Sequence, residues 1–249
     1  MSRKASALVG TSGWSYQHWR HVFYPEDLSQ NKWLEYYCRY FKTVEINNSF
    51  YVLPKASAFN SWRIRVPADF VFAVKANRFI THLKKLKGVD DVLESFLTRV
   101  KALKSKLGPI LFQLPPSLGF DPERLEEFAS KLPRGHRLVV EFRNSSWLNQ
   151  TTFDLLTKHR IGFCIHDLLD VACPEWITSD FAYLRFHGFN EKYGGTYPKK
   201  VLERYARLIS KMLSDSIDVY VYFNNDAFAY AIKDAMTLAE LIDKQKNQV

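Results

Sequence analysis

The sequence predicts an α/β chain folded as one (β/α)8 barrel of the TIM type. Eight short β-rich runs recur at about thirty-residue intervals, and amphipathic segments separate most of them. There is no Gly-x-Gly-x-x-Gly turn after the first run, and no composition shift divides residues 1–249 into domains. Right-handed crossovers between eight parallel strands close naturally into a barrel, and an open doubly wound sheet is the alternative.

The runs are Ala7–Gly10, Thr43–Asn47, Val71–Lys75, Ile110–Leu114, Leu138–Phe142, Gly162–His166, Ala182–His187 and Val219–Phe223. Each is nearly continuously apolar, as parallel strands covered by helices are. Between them, Leu34, Tyr37, Cys38 and Phe41 follow helical spacing, as do Leu93, Phe96, Val100, Leu103 and Leu107. Asp121 and Pro122 read as the N-cap and first residue of a helix stopped by Pro133. Leu202, Tyr205, Ala206, Ile209 and Leu213 form another stripe, and a last helix after Asp226 carries Leu238, Leu241 and Ile242. The link between the sixth and seventh strands is short, so its helix is expected to be small or missing.

Composition narrows the class. The chain is 47% hydrophobic and 24% charged over 249 residues, which excludes a disordered or low-complexity protein and allows a large core without disulfide or metal staples. A formal charge of +9 favours anionic partners without choosing among them. Cys38, Cys164 and Cys173 form no Cys-x-x-Cys pair and fit a reducing compartment, and Cys38 and Cys164 read as small buried hydrophobes. Ala5–Gly10 is too short for a signal sequence, and no apolar run approaches the roughly 20 residues of a membrane span. A cytoplasmic protein without a membrane partner is expected; the sequence specifies no oligomeric state.

In such barrels the chemistry sits where the strands end. Nearly every run here ends in a charged or amide side chain. The first leads into Trp14 and Tyr16; the others carry Glu45 and Asn47, Lys75, Gln113, Glu141 and Arg143, His166 and Asp167, Arg185 and His187, and Asn224 and Asn225. Side chains alternate faces along a strand, so Glu45 and Asn47, Glu141 and Arg143, and Arg185 and His187 share faces, with apolar Ile46, Phe142 and Phe186 between them. The polar set is expected to point into the barrel mouth. His166 and Asp167 have opposite parity, and the sequence leaves open which faces inward.

These residues resemble a known family. Gly10-Thr-Ser-Gly-Trp-Ser-Tyr16, Trp19 and Phe23-Tyr24-Pro25 are similar to the opening of the YecE-like family, domain of unknown function 72. Val44-Glu-Ile-Asn-Asn-Ser-Phe-Tyr51, Phe72-Ala-Val-Lys75, Ile80-Thr-His82, Phe112-Gln-Leu-Pro-Pro116, Val140-Glu-Phe-Arg143, Trp147, Tyr183-Leu-Arg-Phe-His-Gly188 and Tyr222-Phe-Asn-Asn-Asp226 follow in order across almost the entire chain. The resemblance implies a TIM-barrel-like fold and supplies no reaction. It also implies an acidic residue near the end of strand six, which favours Asp167.

Three functional readings follow. In the first, Lys75, Arg143 and Arg185 hold a phosphate or other anionic group and Glu45, Glu141, Asp167 or His187 serve as general acid or base. Asn47, Gln113, Asn224, Asn225, Trp14 and Tyr16 then orient the substrate; phosphoester hydrolysis is the concrete form. The second adds a divalent metal on Glu45, Glu141, Asp167 and His187, which the neighbouring cations disfavour. No organic cofactor is indicated. The third is a non-catalytic nucleotide or nucleic-acid binder, with Arg78, Lys84, Lys85 and Lys87 rimming the mouth and Trp14, Tyr16, Trp19, Trp147, Phe189, Tyr193 and Tyr197 as stacking faces. Gly188–Pro198, with Gly194-Gly195, is the lid candidate. Arg185→Ala or Glu141→Ala is expected to abolish ligand binding with folding intact.

Overall fold

A computed structural model describes residues 4–168, 173–189 and 193–246. Eight strands, β1 (Ala7–Thr11), β2 (Thr43–Ile46), β3 (Val71–Lys75), β4 (Leu107–Gln113), β5 (Leu138–Glu141), β6 (Gly162–His166), β7 (Phe181–Phe186) and β8 (Asp218–Phe223), form one parallel sheet in the order β1-β8-β7-β6-β5-β4-β3-β2. The ends of that order meet. Ser12 bridges Glu45, and the Gly13 N–H donates to the Glu45 carbonyl at 2.8 Å. The result is a nearly closed (β/α)8-type barrel.

Two side chains stitch the β1–β2 seam where the ladder is thin. Tyr37 Oη accepts from the Thr11 N–H at 3.0 Å and donates to the Thr43 carbonyl at 3.1 Å, while Tyr222 Oη pairs with Thr43 Oγ1 at 2.7 Å. Gly10 lies so close to β2 that a Cβ there would sit 2.3 Å from the Thr43 carbonyl oxygen.

Among the described residues seven α-helices surround the sheet: α1 (Trp33–Tyr37), α2 (Ala56–Arg65), α3 (Asp90–Val100), α4 (Pro122–Lys131), α5 (Gln150–His159), α6 (Lys199–Ser214) and α7 (Tyr230–Lys246). Asp121 caps α4 by accepting from the Arg124 N–H, with Pro122 in the first turn. No helix joins β6 to β7 among the described residues. The α3 stripe is shorter than its periodicity suggests. After Val100 the chain passes through a 3-10 turn over Lys101–Lys106, and Leu107 opens β4 instead of extending the helix. Pro109 lies within that early part of β4, where the register against β3 shifts between Phe72 and Val74. A proline, lacking an N–H, is tolerated at such an irregularity. Among the described residues no helix is long and apolar enough to cross a membrane.

Strand alternation divides the core in two. Val44, Ile46, Phe72, Val74, Phe112, Val140, Leu184, Val221 and Phe223 pack outward against the helices. Ala73, Leu111, Val139, Cys164, Phe181, Tyr183, Tyr220 and Tyr222 fill the barrel interior. The continuous apolar runs therefore conceal two faces. On the inward face, each strand's next side chain towards the carboxyl end is polar.

Candidate active site at the carboxyl-terminal mouth

The interior ends in a polar ring with one residue from each strand or its next position: Ser12, Glu45, Lys75, Gln113, Glu141, His166, Arg185 and Asn224, all buried. Arg185 is its centre. Its Nη2 donates to Glu45 Oε1 at 2.8 Å and its Nη1 to Glu141 Oε2 at 2.7 Å. Glu45 also accepts from Ser12 Oγ and from Tyr183 Oη, both at 2.6 Å. Glu141 further accepts from Gln113 Nε2 at 2.9 Å and from Arg143 Nε. Burial alone would push the Glu141 carboxyl up; the Arg143 and Arg185 guanidinium groups hold it well below the usual range. Both glutamates are thus committed as acceptors.

His187 lies above this network. Arg143 Nη2 reaches its Nε2 at 2.8 Å and Arg185 Nη1 at 3.2 Å. A guanidinium only donates, so Nε2 accepts and the ring proton sits on Nδ1. Burial, with Arg185 and Arg143 adjacent, holds His187 well below its usual pKa and therefore neutral. Its Nδ1 is buried without a hydrogen bond, 3.4 Å from Asp167 Oδ1.

His166 and Asp167 both belong to the mouth. His166 is paired with Arg185 in register, shares its inward face, and donates from Nε2 to the Phe142 carbonyl at 2.9 Å. Asp167 Oδ1 accepts the His187 backbone N–H at 2.7 Å, and Oδ2 accepts from Tyr197 Oη. Burial raises Asp167 to about 6, against the opposing pull of those hydrogen bonds.

Lys75 is different from the other charges. It is 7% exposed, and its Nζ rests 4.1 Å from the centroid of the Phe50 ring. It forms no ion pair or hydrogen bond with a described residue, because the nearby glutamates are already taken by the arginines. Burial is the main cause that lowers its pKa to about 7; Arg185 pulls the same way, against Glu45 and Glu141. Just past the end of β2, Asn47 has a buried Oδ1 with no hydrogen-bond partner among the described residues. His82, half-buried and in edge contact with Phe50, is lowered to about 4 by burial and by the Lys75 and Arg143 charges.

The other residues named from sequence fall into place unevenly. Tyr16 is a partly buried neighbour of the ring whose hydroxyl donates to the Ser12 carbonyl at 2.5 Å. Trp14 packs edge-on against Trp62 at 5.3 Å. Asn224 faces the mouth by strand alternation. Asn225 has the opposite parity, and its amide donates to the Gly195 carbonyl and to Asp234 Oδ2 on α7, both at 2.8 Å. Trp19 and Trp147 are buried core, and Tyr197 is buried with its hydroxyl on Asp167. Residues 190–192 of the expected lid and 169–172 after strand six lie outside the described residues. Sequence reasoning missed Ser12, Tyr183, His82 and Phe50 as parts of the site. The first two share the inward parity of Gly10 and Arg185, which was the available signal.

A metal is poorly served here. Among the described residues no three His, Cys, Asp or Glu side chains converge, and the lone pairs of Glu45, Glu141 and His187 Nε2 already accept from cationic donors. A cavity of about 500 Å³ adjoins the site at Asp167, walled by Phe189, Tyr197, Val201 and Tyr205 with Lys200 and Arg204. A second, of about 790 Å³, opens at the opposite end of the barrel beside Arg134, Arg137 and Arg160, away from this chemistry.

The fold and the ring define a TIM-like barrel with a built polar centre at its carboxyl-terminal mouth. The profile described as "Protein of unknown function DUF72" matches residues 8–249, and the chain belongs to that family. It is 32% identical over 139 residues to UPF0759 protein YecE of Escherichia coli K12, a match covering 55% of this chain and 48% of that protein, so about half of the relative's length. It is 24% identical to UPF0759 protein YunF of Bacillus subtilis, covering 94% of each. A DUF72 family protein from Thermotoga maritima superposes with a TM-score of 0.87 at 31% identity, covering 96% of this chain and 99% of that one. A DUF72 protein from Enterococcus faecalis, 18% identical with a TM-score of 0.82 over 95% of each chain, has the same fold.

Proposed function

We propose that the mouth is the active site of an enzyme acting on a small anionic substrate, bearing phosphate or carboxylate, by general acid–base chemistry. The carrying observation is the unequal state of its cations. Arg185 is consumed by Glu45 and Glu141, whereas among the described residues Lys75 has no carboxylate partner and Arg143 Nη1 no hydrogen bond. In this reading Arg143 anchors the anion through that free donor. Lys75, with a pKa of about 7, moves a proton at Nζ in either direction near neutral pH. Neutral His187 and Asn47 Oδ1 orient the substrate. Arg185 is not an anion ligand here; it holds the two glutamates and sets the field around Lys75.

Calorimetric titration with inorganic phosphate tests the anchor. Arg143→Met is expected to weaken binding roughly tenfold. Turnover of a panel of phosphoesters and hydroxy acids is expected to be lost in Lys75→Met. Phosphate binding unchanged in Arg143→Met, with turnover unchanged in Lys75→Met, would remove the reading.

A nucleotide or nucleic-acid ligand is the second reading. It is favoured by Arg78, Lys84 and Lys87, which are exposed just beyond the end of β3 on the same rim as Lys75. Steep weakening of oligonucleotide binding with salt would support it.

A further inference from the structure

We propose that Lys75 is a covalent nucleophile and that the substrate class is a carbonyl compound carrying an anionic group, such as a 2-oxo acid or an aldehyde acid, held as an imine on Nζ with its anion on Arg143. This rests on the reading of the mouth as an anion-binding active site and narrows its chemistry.

The geometry separates Lys75 from an ordinary anion anchor. An anchoring lysine must stay protonated, and a carboxylate beside it normally ensures that. Here the two inward glutamates are bound by Arg185, Arg143, Ser12, Tyr183 and Gln113, so none is left to pair with Nζ. The amine instead sits in a buried position over the Phe50 ring, with Glu45 from β2, Glu141 and Arg143 from the β5 end, Arg185 from β7 and His82 as its charged or titratable surroundings. The ring face favours an ammonium, while burial favours the neutral amine, the form that adds to carbonyls. Arg143 Nη1 supplies a donor for the substrate's anion, fixed in place by the Nε and Nη2 contacts. Asn47 Oδ1, buried and without a partner, is an acceptor for the hydroxyl of the addition intermediate.

The step balances without a cofactor. The Nζ lone pair attacks the carbonyl carbon, a C–N bond forms, and a proton passes from nitrogen to the former carbonyl oxygen. That oxygen then takes a second proton and leaves as water, giving a protonated imine. No electron transfer is involved.

The test uses the full-length chain with glyoxylate as probe near neutral pH, followed by reduction with sodium borohydride and peptide mapping. One carboxymethyl group per chain, on Lys75, is expected. Arg143→Met is expected to require roughly tenfold more glyoxylate for the same labelling, with a smaller loss of labelling by neutral acetaldehyde. Labelling spread over exposed lysines with none on Lys75 overturns the proposal. Competitive acetylation across pH in the same samples separates the two levels. If Lys75 acetylates with a near-neutral midpoint yet forms no imine, the carbonyl proposal falls and the proton-transfer reading stands. If its midpoint is that of an ordinary lysine, both fall.

Discussion

Lys75 and Arg143 end in the same mouth, but Arg143 Nε donates to Glu141, while Nζ of Lys75 rests over the Phe50 ring with no carboxylate partner among the described residues. One charge is therefore locked into the fold and the other is kept at an energetic cost. That asymmetry generates the testable consequences.

Removing the unpaired amine should stabilise the protein. The Lys75 pKa falls from 10.5 to about 7 on folding, so between those values the unfolded chain holds a proton the native one has released. Stability contributed by this group rises with pH through that window, and its cost is greatest at and below neutral pH. Lys75→Met is predicted to gain on the order of 1–3 kcal/mol at pH 6, shrinking towards pH 10. Urea unfolding at the two pH values measures it.

Arg185 should behave in the opposite way. It is 1% exposed and bridges Glu45 and Glu141, so Arg185→Leu leaves two buried carboxylates without their shared cation. A loss of roughly 3–5 kcal/mol is predicted. The sequence alone suggests a ligand-binding arginine whose removal spares the fold; burial between two carboxylates predicts that removal unfolds the chain instead. Thermal unfolding of Arg185→Leu decides between the two.

The barrel seam gives a backbone prediction. A Cβ at Gly10 meets the Thr43 carbonyl oxygen at 2.3 Å, so Gly10→Ala must push β1 from β2. A loss of roughly 1–3 kcal/mol is expected, with faster amide exchange at Gly13, whose N–H donates to the Glu45 carbonyl across the seam.

Asp167 carries a pH signature of its own. Burial raises its pKa from 3.8 to about 6, so between those values the native state holds a proton the unfolded state has lost. Stability from this group therefore falls as pH rises across the window. Asp167→Asn is predicted to flatten stability between about pH 4 and 6, as followed by denaturant midpoints.

Much of this architecture is legible in the residues. Eight apolar runs, the Asp121-Pro122 cap and the parity of Glu45, Glu141 and Arg185 are local properties, and they place strands and inward faces correctly. What local pattern does not encode is who pairs with whom. Lys75, Arg143 and Arg185 look equivalent as formal charges, yet their states differ because Glu45 and Glu141 arrive from other strands and are shared unequally. Asn225 looks like a site amide until Asp234 on α7 takes it. Trp19 and Trp147 look like stacking faces, but in a chain this rich in aromatics they fill the core. Ser12 and Tyr183 carry no formal charge, so only their contacts with Glu45 mark them.

Everything at this site turns on Lys75 being a buried amine with no ion pair among the described residues and a near-neutral pKa. NMR titration of its ε-methylene and ammonium signals, assigned by their loss in Lys75→Met, tests it directly. The account predicts a single transition with a midpoint at about 7. A midpoint near the ordinary lysine value of about 10.4 would contradict it.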